Sequence, residues 1–100
     1  MKRVFISQPM RNKTKEEIKL ERAYLMQYAR EKYGNDVRFI DSYFEDLPED
    51  TKPLYFLGRS IELLSVADVA IFAKGYEEAR GCKIEFICAK EYGIEEIIEM

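Results

Sequence analysis

Four short apolar runs of strand length, separated by longer polar or helix-periodic stretches, constrain this chain more than any other feature. They are Lys2–Ser7 (KRVFIS), Val37–Ile40 (VRFI), Val69–Ala73 (VAIFA) and Ile94–Ile98 (IEEII). Gln8-Pro9 ends the first run, because proline cannot donate to a strand ladder. Thr14 with Glu17 forms a capping-box pattern, and the helix it opens runs from about Lys15 to Tyr33, where Gly34-Asn35 stops it. Ile18, Leu25 and Ala29, with Tyr24 and Tyr28, give that helix its apolar stripe, and its Lys, Arg and Glu residues read as a solvated face. Pro53 suits the first turn of a second helix over about Leu54–Ser65, with Leu57, Ile61 and Leu64 at helical spacing. The period turns helical again from about Gly81, through Cys82, Ile84, Phe86, Ile87, Cys88 and Ala89, until Gly93.

Strict β-α-β-α-β-α-β alternation implies a parallel sheet with helices on both faces, and right-handed crossovers leave few topologies. The expected fold is α/β: a flavodoxin-like (Rossmann-like) three-layer sandwich of a single domain over residues 1–100, with strand order 2-1-3-4 and the fourth strand at the edge. The topological switch then lies between the first and third strands. Ligands of such sheets bind at the carboxyl ends of the strands near that point. The loops expected to meet there are SQPMRNK after the first strand and AKGYEEARG after the third.

Composition excludes more than it assigns. A net charge of −3 and a pI near 5.1 argue against a broad grip on a nucleic-acid polymer. No run approaches the roughly 18 apolar residues of a membrane span, and the opening MKRVFIS is too short for the apolar region of a signal peptide, so the expected location is cytoplasmic and away from membranes. Cys82 and Cys88 lie roughly 9 Å apart along one helix, too far to bridge, and should be reduced. With no histidine and no metal-ligand spacing, neither a metal nor another cofactor is expected.

The first loop offers Ser7, Gln8, Pro9, Met10, Arg11, Asn12 and Lys13, followed by a helix N-terminus whose amides favour an anion. Neither GxGxxG nor GxxxxGK[ST] is present, so this is no nucleotide fingerprint. On the second loop stand Gly75, Tyr76, Arg80 and Gly81; Arg80 and Lys83 either serve the same anion or offset Glu77 and Glu78. Ser60 and Arg59 sit on the second helix facing unknown neighbours. Tyr55, Tyr76 and Phe44 are candidates to stack a base, or else core and rim residues. Glu85 falls in the second turn of the third helix among apolar neighbours. It reads either as a nucleophile or base toward an anomeric carbon, or as a helix-edge glutamate paired with a lysine. Asp68, just before the third strand, belongs at the amino end of the sheet, away from the site.

FISQPMRNKTKEEI, with LGRSIELLSVADVAIFAKGYEEARGCKIEFICAKEYGI, resembles the small phage and bacterial domains of unknown function grouped as DUF4406, over nearly the whole chain. These are similar in turn to nucleoside 2-deoxyribosyltransferases and deoxynucleoside-monophosphate N-glycosidases, through Ala67, Asp68, Gly81, Glu85 and Ala89. The resemblance implies a nucleoside, nucleotide or nucleotide-derived ligand and N-glycosidic cleavage or transfer with Glu85 as nucleophile. An apolar fourth strand at the sheet edge of a domain this size implies a homodimer or higher homo-oligomer. The resemblance also shows departures. The enzymes' assisting aspartate falls on Ser60, their first-strand tyrosine on Phe5, and the polar residue of the loop ahead of the glutamate on Ala79. Only that match adds Ser60 to the candidate ligand-binding set. These departures imply the alternative of a non-catalytic binder that senses or sequesters its ligand.

Overall fold

A computed structural model describes residues 1–100. Four strands, β1 (Lys2–Ser7), β2 (Val37–Phe39), β3 (Val69–Phe72) and β4 (Glu96–Glu99), form one all-parallel sheet in the order β2-β1-β3-β4. Helices α1 (Lys15–Tyr33), α2 (Pro53–Leu64) and α3 (Arg80–Glu91) alternate with them, and a short 3₁₀ turn, Tyr76–Glu78, precedes α3. This is the flavodoxin-like arrangement that the alternation implies. No helix is long and apolar enough to cross a membrane.

The two central strands are buried on both faces, which explains why they read as continuous apolar runs rather than alternating ones. Val4, Ile6, Val69, Ile71 and Ala73 face α1 and pack on Leu25 and Ala29. Phe5, Ala70 and Phe72 face the other side and pack with Leu64 of α2 and with Cys82 and Ala89 of α3. Strand alternation therefore puts Phe5 and Ser7 on the same face, toward α3. The parallel register sets Ser7 opposite Phe72 at the carboxyl edge, and the Ala73 N–H extends the ladder to the Ser7 carbonyl.

Local chemistry fixes the ends of the elements. The Glu17 N–H donates to Thr14 Oγ1 at 3.1 Å and the Thr14 N–H donates to Glu17 Oε1 at 2.9 Å, closing the capping box. Those bonds hold the Glu17 carboxyl below the usual carboxylate range. Gly75, at φ 87°, turns the chain out of β3 through the left-handed region that a side chain would disfavour. At the amino edge, Asp68 accepts a bond from the Arg3 N–H at 2.8 Å, a structural task far from the carboxyl end.

Three expectations need correction. Tyr24 is 65% exposed and lies outside the α1 stripe. β4 begins at Glu96 rather than Ile94, because pairing Val69 with Glu96 sends Ile97 and Ile98 to opposite cores, while Ile94 packs from the connection preceding the strand. Lys2 and Lys32 reach Glu95 and Glu96 at 3.7 Å and so accommodate the acids at that end. On α3, Ile84 and Ile87 are exposed, leaving Cys82, Glu85 and Ala89 as its buried side.

Candidate functional site

The carboxyl ends of β1 and β3 open into a cleft of roughly 1080 Å³. Its walls bring together Ser7, Gln8, Pro9, Met10, Arg11 and Lys13 from the first loop, Gly75, Arg80 and Gly81 from the second, Ser60 from α2, and Glu85 from α3. Those are the sequence candidates, with one exception. Tyr76 does not line the cleft. It turns into the core, where its ring stands 5.4 Å from Phe72 and 5.0 Å from Phe86, and its hydroxyl donates to Glu99. Three adjacent aromatics bury more apolar area together than a rim tyrosine would, so Tyr76 packs instead of stacking a ligand. Tyr55 and Phe44 also stay out of the lining; Phe44 leans on Phe56, which does line it. Lys83 is exposed and outside the cleft, since it lies between Gly81 and Glu85 along α3 and points to the other side of the helix.

Glu85 is 7% exposed and belongs to no ion pair, which removes the reading of a helix-edge glutamate matched to a lysine. Ser7 Oγ donates to Glu85 Oε1 at 2.6 Å, a short bond of the kind a carboxylate acceptor makes. Burial pushes the Glu85 carboxyl above the usual carboxylate range, and the hydroxyls of Ser7 and then Ser60 pull it part of the way back. Of those two hydroxyls only Ser7 completes a well-formed bond; Ser60 acts from α2 at longer reach. The orienting hydroxyl that Phe5 lacks is thus supplied by Ser7, two residues along the same face of β1. Ser7→Ala should cost about 1–2 kcal/mol, and more at the higher of two pH values, because the Ser7 hydroxyl favours the charged form of Glu85. Chemical denaturation at two pH values checks this; an equal loss at both would mean that Ser7 does not bear on the charge of Glu85.

Cys82, one turn before Glu85, also lines the cleft. Burial pushes its thiol up to about 11, against the smaller lowering effect of Ser7, so it stays protonated and weakly nucleophilic. Both cysteines are free.

The helix end that faces the cleft is not the one the sequence suggested. The capping box occupies amides of α1, and from Thr14 onward α1 contributes nothing to the lining. α3 begins at the cleft, with Ala79 as an N-cap that has no side-chain bond to offer, so its first amides remain open there.

Sequence reasoning missed the support beneath the first loop. Arg22 Nη1 donates to Gln8 Oε1 at 3.1 Å, and its Nη2 donates to Ser42 Oγ at 3.0 Å and to the Ile40 carbonyl at 3.1 Å. Gln8 Nε2 donates to the Ile18 carbonyl at 3.0 Å and to Glu21 Oε1 at 3.1 Å, and Ser42 Oγ donates to the Ile6 carbonyl at 3.2 Å. Buried Gln8 and Ser42 both line the cleft. The reading of every α1 charge as solvated therefore fails at Arg22. A signal was available: Ile18, Arg22, Leu25 and Ala29 follow helical spacing, which puts the arginine inside the apolar stripe. A second hollow of about 430 Å³ lies beyond Arg22, where Lys19 sits among Asp41, Glu45 and Asp46. Its mixed charges favour no ligand class, and it contains no buried carboxyl.

No protein-family model, curated protein or solved structure matches the chain.

Proposed function

We propose that this chain handles nucleosides or nucleotides as a nucleoside 2-deoxyribosyltransferase-like protein, cleaving or transferring an N-glycosidic bond with Glu85 as nucleophile. The observation that carries the reading is Glu85 itself: a carboxyl buried at a cleft, with no cation, held by Ser7. A fold does not retain an unpaired buried carboxyl for stability, since desolvation opposes its charged form. Its use is toward positive charge developing in the cleft, as at the anomeric carbon of an oxocarbenium-like transition state.

In the step proposed, a Glu85 oxygen forms a bond to the anomeric carbon as the carbon–nitrogen bond breaks, and the base departs with the bonding pair. Water or a second base then attacks the same carbon and releases Glu85. Ser7 keeps the attacking carboxylate in one orientation. Ser60 cannot serve as the acid for the leaving base, so that proton comes from solvent.

The absence of a second buried acid beside Glu85 favours an alternative, a binder that senses or sequesters a nucleotide-derived ligand unchanged. One experiment separates the two. The purified protein is incubated with nucleosides and deoxynucleoside monophosphates, thermal shifts are recorded, and each mixture is chromatographed. Free base appearing with a shift supports the glycosidic reading; a shift with the ligand intact supports the binder; no shift with any of them removes both. A homodimer or larger assembly belongs to the same proposal, through the open edge of β4, and sedimentation equilibrium tests it.

A further inference from the structure

We infer that the ligand carries a diphosphate or longer phosphate chain, gripped by Arg11 from the first loop and by Lys74 and Arg80 from the second. This rests on the reading above that the ligand is a nucleotide, and it specifies the phosphate end, which that reading leaves open.

Charge distribution is the first ground. The chain has 19 acids against 16 bases, yet the cleft lining holds Arg11, Lys13, Lys74 and Arg80 against Glu78 and the buried Glu85. Lys13 is engaged by Glu21 at 3.5 Å. Arg11, Lys74 and Arg80 take part in no ion pair, and no side-chain hydrogen bond within the protein involves them. In a chain with acids in excess, leaving three unpaired cations on one concave surface fits an anion supplied from outside.

Placement is the second ground. Arg11 belongs to the loop after β1, whereas Lys74 and Arg80 belong to the segment between β3 and the first turn of α3. The cations therefore approach from two separate chain segments. A single phosphate monoester carries about −1.5 to −2 charge at pH 7, less than the three unpaired cations supply. A diphosphate brings a further anionic group, and guanidinium groups bind phosphate oxygens in pairs. The volume agrees, because roughly 1080 Å³ lies just above the usual range of about 300–1,000 Å³ for small-molecule sites.

Titration calorimetry with inorganic phosphate, inorganic pyrophosphate, and adenosine and thymidine each as nucleoside, monophosphate and diphosphate tests this. Pyrophosphate should bind at least about tenfold more tightly than phosphate, weaken steeply with added salt, and lose its advantage in Arg11→Gln and Arg80→Gln, whose folding is checked by circular dichroism. Equal affinity for phosphate and pyrophosphate overturns the inference, as does a pyrophosphate preference that survives in the double variant. Pyrophosphate is blind to glycosidic chemistry, so the two ideas fail separately. Base released from nucleosides with no gain from a second phosphate overturns the grip and keeps the reading. Pyrophosphate bound through Arg11 and Arg80, with no nucleoside or nucleotide recognised, supports the grip and overturns the reading.

Discussion

On the glycosidic reading, Glu85→Gln should abolish base release, lowering the rate by about a thousandfold or more, while ligand affinity changes only a few-fold and the melting temperature rises. The first part follows from chemistry, because an amide is a poor nucleophile and cannot offset a developing cation. The second follows from shape: glutamine fills the same volume and still offers Ser7 an acceptor oxygen. The third follows from burial. Removing a carboxylate that the fold keeps from water, with no cation beside it, should stabilise the domain by about 1 kcal/mol at neutral pH, or about 4–8 °C. The sign is fixed by linkage. Glu85 has a raised folded value, so between the ordinary carboxyl near 4.5 and that raised value the unfolded chain holds fewer protons, and stability falls as pH rises. Subtracting the Glu85→Gln stability curve from that of the natural protein isolates this fall. A variant that turns over nucleotide within tenfold of the natural rate would remove Glu85 from the chemistry; one that melts lower at neutral pH would contradict the burial cost.

The carboxylate shows why some of this molecule was legible in its sequence and some was not. Strand order came from alternation and handedness, and the site from the rule that ligands gather at the switch point, so Ser7 and Glu85 were drawn to one place before any geometry was known. What periodicity does not carry is the identity of hydrogen-bond partners. That Ser7 rather than Phe5 supplies the hydroxyl depends on which residue of β1 reaches the edge of the sheet, a matter of register to within one residue. Tyr76 was misplaced for a related reason. A loop aromatic is drawn either to ligand or to core, and the decision belongs to Phe72 and Phe86, which only tertiary structure brings alongside it.

Arg22 joins the site to stability, and replacing it should unsettle both. Arg22→Leu leaves the Gln8 side-chain oxygen, the Ser42 hydroxyl and the Ile40 carbonyl short of a donor. Each such loss costs about 1–3 kcal/mol in a dry setting. The leucine recovers part of that, since burial disfavours the guanidinium's charged form and only Asp41 acts in its favour from nearby. A net loss of about 2–4 kcal/mol is expected, a fall in melting temperature of more than about 8 °C. Arg22→Lys should fall between, because an ammonium lacks the planar fork that serves three acceptors at once. Urea denaturation of Arg22→Leu, Ser42→Ala and the double variant should show non-additivity of about 1 kcal/mol, as for residues sharing a bond. Purely structural damage would stop there. Because Gln8 lines the cleft and Arg22 holds it, the thermal shift given by a bound nucleotide should also shrink in Arg22→Leu, and recover in part with lysine. A nucleotide shift unchanged in Arg22→Leu would mean that the first loop keeps its binding geometry without the arginine, and would confine Arg22 to holding α1 against the end of β2.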